Sequence, residues 1–175
     1  MATKSVRAKV KSNTKSNTKS QAKSQPKPEA VLRSFLARFD GKVQKLFFAV
    51  RAAIKKRLPA ANELAYDYPS HIVVSYAPTD RGIDGIVAID ARTDCVRLYF
   101  SPQVPDPNGL LQGSGKMARY LAIASAKQLA EPDLDAMLRA AVEVARVPLP
   151  AEGKGELVIR TGGDGAKKTP RKKAK

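Results

Sequence analysis

The sequence predicts an α+β domain: an antiparallel sheet of four to five strands, with two N-terminal helices and one C-terminal helix packed on it. Three observations predict it. Apolar residues recur at helical spacing from Val31 to Ile54, alternate one by one from Leu64 to Phe100, and return to helical spacing from Leu134 to Ala145. Helices, then strands, then a helix is the element order of an α+β fold with helices on one sheet face.

The first helix opens at Pro28-Glu29, with proline suited to the first helical position and an acid in the first turn. Val31, Leu32, Phe35, Leu36 and Phe39 form its apolar face, and Asp40-Gly41 interrupts it, with Asp40 placed to cap the next helix. Val43, Leu46, Phe47, Val50 and Ile54 stripe the second helix. Lys55, Lys56 and Arg57 crowd its last turn, where the dipole favours cations, and Pro59 ends it.

Four period-two runs follow: Leu64/Tyr66/Tyr68, Ile72/Val74/Tyr76, Ile83/Gly85/Val87/Ile89 and Val96/Leu98/Phe100. Turn residues separate them, as in an antiparallel meander. Residues 101–109, SPQVPDPNG, read as a loop, Arg119 to Ala124 as a possible fifth strand, and Pro132 as the start of the last helix.

The net charge of +16 is unevenly placed. Residues 1–28 carry eight Lys or Arg and no acid. Residues 161–175 carry six against Asp164, and the stretch 29–160 holds eighteen basic and fifteen acidic residues. The chain therefore divides into a basic tail 1–28, a domain 29–147 and a basic tail 148–175. Tails so poor in large apolar residues cannot offset the entropy of ordering, so both are expected to be disordered. With one cysteine, Cys95, and one histidine, His71, an internal disulfide is impossible and a Cys/His zinc site is two ligands short. No apolar run is long enough for a signal peptide or a membrane span, so the expected compartment is the cytoplasm and no membrane partner is expected.

From Leu64 to Val144 the chain resembles the YdhG-like family, a family of domains without an assigned activity. The resemblance lies in Leu-Ala-Tyr-Asp-Tyr at 64–68, Ser-Tyr-Ala-Pro-Thr-Asp-Arg at 75–81, Val-Arg-Leu-Tyr-Phe at 96–100, the loop 104–116, Arg119 and Glu131-Pro132. One branch includes a frataxin-like iron chaperone, so iron handling is the biochemical role the resemblance implies. The residues give it little support. Iron needs clustered oxygen ligands, whereas Asp80, Asp84, Asp90 and Asp94 are interleaved with Arg81, Arg92 and Arg97, and iron is not an expected partner.

Two ligand sites are candidates. Gly113, Ser114, Gly115 and Lys116 could turn backbone amides toward a small anion, with Arg119 adding charge. The spacing is not that of a phosphate-binding P-loop, and a plain turn joining the long loop to an edge strand explains it better. Tyr66, Asp67, Tyr76 and His71 lie on neighbouring strands, where Asp67 beside His71 is a conceivable acid/base pair without a nucleophile. Alternation puts Asp67 and Tyr66 on opposite faces. The tails carry Lys4, Arg7, Lys9, Lys11, Lys15 and Lys19 at one end and Lys167, Lys168, Arg171, Lys172 and Lys173 at the other. Such charge attracts DNA or RNA phosphates without sequence preference. The sequence thus reads as a non-enzymatic, cofactor-free binding protein with nonspecific affinity for nucleic acid.

Overall fold

A computed structural model of the chain describes residues 26–161. Helix α1 spans Pro28–Leu36 and α2 Gly41–Arg57. As the sequence predicts, Pro28 lies in the first turn of α1, and the Asp40 carboxylate accepts a 2.7 Å bond from the Lys42 amide at the start of α2. Strands β1 (Asn62–Asp67), β2 (Ile72–Ala77), β3 (Val87–Ala91), β4 (Val96–Phe100) and β5 (Arg119–Ile123) form an antiparallel meander. A 3-10 turn at Ala126–Ala130 leads into α3, Pro132–Glu143.

The chain then returns to the far edge of the sheet as β6, Leu157–Thr161, which pairs parallel with β1. The sheet is therefore six-stranded and mixed, ordered β5-β4-β3-β2-β1-β6, where the sequence predicted four to five antiparallel strands. This also moves the domain boundary: the stretch from 148 to 161, expected as tail, contains an edge strand. A parallel neighbour requires a long crossover, which α3 and residues 144–156 supply. Gly155 makes the crossing possible. Its amide bonds the Pro59 carbonyl at 2.8 Å, and a Cβ there would lie 1.8 Å from the Ala61 carbonyl oxygen. Segments 1–25 and 162–175, which hold the tail lysines and arginines, lie outside the described residues.

A second correction concerns β3. Ile83 and Gly85 do not extend the strand, because Gly82–Asp84 forms a 3-10 turn and Ile83 is 54% exposed.

All three helices lie on one side of the sheet. Ile72, Val74, Val87, Ile89, Val96, Leu98 and Phe100 point from it into a continuous core with Leu32, Leu36, Phe47, Val50, Ile54, Leu134 and Leu138. On β1 the helix-facing residues are Glu63, Ala65 and Asp67, opposite Tyr76, Val74 and Ile72 in register. The Leu64/Tyr66/Tyr68 stripe faces the other way.

Glu63 is drawn inward by Arg51 of α2, which grips it through Nε and Nη2, both at 2.7 Å, and grips Glu29 of α1 through Nη1 and Nη2. Lys55 and the Tyr76 hydroxyl complete the set around Glu63. Burial opposes the charge of Glu63, yet the bonds from Arg51 and Lys55 outweigh it and lower its pKa. The Arg51 bond likewise lowers Glu29, and burial, then the Glu63 charge, raises the Tyr76 hydroxyl.

Candidate functional site

The sheet face turned away from the helices carries the remaining chemistry. Register fixes its layout. One row runs Val158, Leu64, Ser75, Ala88, Tyr99, Tyr120 across β6, β1, β2, β3, β4 and β5. The next runs Arg160, Tyr66, Val73, Asp90, Arg97, Ala122. Small residues thus occupy the centre, with aromatic and cationic side chains on both flanks.

On the β4–β5 flank the Tyr99 and Tyr120 rings lie 5.4 Å apart, and the Arg97 guanidinium stacks over Tyr120 at 4.4 Å. On the β1 flank Tyr66, Tyr68 and His71 form a ladder of near-parallel rings, 6.3 Å and 4.8 Å between neighbours. The Arg160 guanidinium, beside Tyr66, donates to the Asp80 carbonyl at 2.8 Å.

A cleft of about 260 Å³ opens at the end of this face. Ser75 and Ala88 line it beside Tyr99, the turn at Gly82–Gly85 bounds one side, and Met117 and Ala118 bound the other. Ile83 and Met117 are the two exposed large hydrophobic residues among those described, and both line this cleft. Two glycines at its wall pack closely against their neighbours. A Cβ at Gly85 would meet the Ser75 hydroxyl at 2.6 Å, and one at Gly82 the Tyr66 hydroxyl at 2.5 Å. Arg146, after α3, also lines the cleft. It is 65% exposed, and its nearest acid is the buried Asp84 at 4.0 Å.

The residues predicted as ligands are dispersed by the fold. Tyr66 is on the helix-free face, but Asp67 is on the helix face with Arg38 Nη1 2.7 Å from its Oδ1, an ionic contact whose N–H is not aimed at the oxygen. Asp67 and His71 therefore form no acid/base pair. The His71 ring meets Tyr68 and the Ser70 hydroxyl instead. Tyr76 is fully buried and bonds Glu63 and the Arg51 carbonyl, which makes it part of the core rather than of a site.

Gly113, Ser114, Gly115 and Lys116 form an exposed loop, and both glycines have packing reasons. Gly113 has φ +92° against the Tyr120 ring, and a Cβ on Gly115 would come within 2.7 Å of the Ala118 carbonyl. Arg119 does not join them. It donates to the Val104 carbonyl at 2.8 Å and pairs with Asp106, which in turn caps the Leu110 and Leu111 amides, so it pins the proline-rich loop.

The aspartates stay apart too. Asp84 bonds Thr79, Asp90 bonds Arg92 and Asp80 faces Arg160. Among the described residues no three His, Cys, Asp or Glu side chains group so as to hold a metal ion, and no helix is long and apolar enough to cross a membrane.

Sequence reading missed Tyr99, Tyr120 and Arg97 as a group. The signal was available: in Val96–Phe100 the residues between the apolar ones are Arg97 and Tyr99, an arginine and a tyrosine on the face opposite the core. Comparison with family models, with curated proteins and with solved structures finds no match.

Proposed function

We propose that the protein is a non-enzymatic nucleic-acid-binding protein whose basic terminal segments supply salt-sensitive, sequence-independent attraction to DNA or RNA. The segregation of charge along the chain carries this reading. Residues 1–25 hold seven basic residues and no acid, and 162–175 hold six with one acid, whereas the folded stretch between them has nineteen basic and fifteen acidic residues. Each phosphate neutralised by Lys or Arg releases counterions, so affinity falls steeply with salt. The resemblance to YdhG-like domains remains part of this proposal, supported by the order of the stretches between Leu64 and Glu131-Pro132.

Fluorescence anisotropy with labelled duplex DNA over a salt series tests it. The full chain is expected to bind with a steep negative slope of log affinity against log salt. Replacing the terminal Lys and Arg residues by Gln should flatten the slope and remove most of the affinity. Unchanged duplex binding after that replacement refutes the reading.

A further inference from the structure

We propose that the helix-free face of the sheet binds single-stranded nucleic acid, seating one base in the cleft against Tyr99, beside the stacked Arg97 and Tyr120. The inference rests on the nucleic-acid reading above, but it assigns a different surface and a different kind of contact.

Four observations converge on this occupant. The two exposed large hydrophobic residues of the described chain, Ile83 and Met117, both line the cleft, together with Ala141 of α3 and the following Val144 and Ala145, so its lining offers apolar surface to a flat ring. Tyr99 and Tyr120 lie side by side on adjacent strands, offering a broad aromatic surface beside the opening.

Arg146, 65% exposed, and the half-buried Arg97 are the cations next to that surface, while the nearby acids Asp84 and Asp90 are 2% and 1% exposed and the exposed Asp80 is paired with Arg160. The outward potential therefore complements phosphate. Arg97 lies over the Tyr120 ring and beside the Tyr99 hydroxyl, which holds its pKa above the usual value, and its Nε is buried without a hydrogen-bond partner.

Aromatic rings interleaved with arginines on a solvent-facing sheet bind single strands, because every base has a face to stack and each linkage has a phosphate to neutralise. Duplex bases are already stacked on one another and cannot enter a cleft without being extruded. The Ser75 hydroxyl and the backbone around Gly82 and Gly85 give the cleft polar groups to meet a base edge.

The test compares a labelled oligothymidine and a duplex of equal length on the full chain. The double variant Y99A/Y120A is expected to lose about 5- to 100-fold in single-strand affinity while duplex affinity stays within about twofold. Y99F/Y120F, which keeps the rings, retains single-strand binding. Because the chain has five tyrosines and no tryptophan, its intrinsic emission is tyrosine emission. Oligothymidine should quench it even at high salt, where phosphate contacts are weakened. Absence of quenching in the wild-type protein overturns the proposal, as does unchanged single-strand affinity in a folded Y99A/Y120A. Equal loss on single strand and duplex also overturns it, in favour of a general polyanion surface. Neutralising the termini tests the earlier reading separately, since it leaves the stacking surface in place.

Discussion

Asp90 and Arg97 sit directly opposite each other on β3 and β4, yet no ion pair joins them. Arg97 leans diagonally over Tyr120, and Asp90 turns one oxygen to Arg92 at 2.7 Å. The other Asp90 oxygen and Arg97 Nε are both buried without a hydrogen-bond partner. A buried polar atom left unpaired costs about 1–3 kcal/mol. The helix-free face therefore keeps a local arrangement that the fold does not need.

Asp90→Val is expected to leave stability unchanged or raise it, by up to about 1 kcal/mol. It removes a buried, half-satisfied carboxylate and places a β-branched residue mid-strand, while Arg92, already 35% exposed, returns to water. Urea denaturation checks this, and a loss above about 1 kcal/mol would show that Asp90 is a structural anchor.

Arg51→Met is expected to cost about 3–5 kcal/mol, because Glu63 would stay buried with its main counter-charge gone. Glu63 is 1% exposed and keeps only Lys55 and the Tyr76 hydroxyl. Adding Glu63→Leu should recover much of that loss. Chemical denaturation of both variants separates the burial cost from the value of the pair.

Acid should unfold the protein through the same cluster. Glu63 and Glu29 both have folded pKa values below the usual carboxylate value, Glu63 because its bonds outweigh burial and Glu29 through its bond from Arg51. Their contribution is complete above the unfolded value of about 4.3 and is lost as pH falls through the lowered folded values. Thermal midpoints should hold from neutrality to mildly acidic pH and then fall below about pH 4. In Glu63→Gln that acid-side fall should be shallower.

Gly155→Ala is expected to destabilise by about 3 kcal/mol, the upper part of the overpacking range, because its Cβ would meet Ala61 backbone rather than a side chain that can move aside. The strain should loosen β6 first. Hydrogen exchange at Leu157–Thr161 should accelerate more than exchange in β2 or β3.

Arg119→Ala is expected to cost about 1–2 kcal/mol from lost hydrogen bonds to buried partners. It should also open residues 102–111 to proteolysis, since Arg119 ties the Val104 carbonyl and Asp106 together. Lys116→Ala, at an exposed position, should do neither. Equal effects would restore a joint role for the two residues.

What the sequence determined by itself was local. Pro28, the Asp40 cap, Pro59 and Pro132 mark helix boundaries because capping and proline geometry act within a few residues. The period-two runs gave the meander because alternation is a property of one strand. What only the tertiary structure decided depends on distant partners. Leu157-Val158-Ile159 is three apolar residues after a stretch of Pro, Gly and Glu, and it becomes a strand only because β1 offers it an open edge across the Gly155 crossing. The inward face of β1 was set by Arg51, twelve residues away, which binds Glu63. Tyr99, Tyr120 and Arg97 became neighbours through strand register, a pairing no single segment encodes.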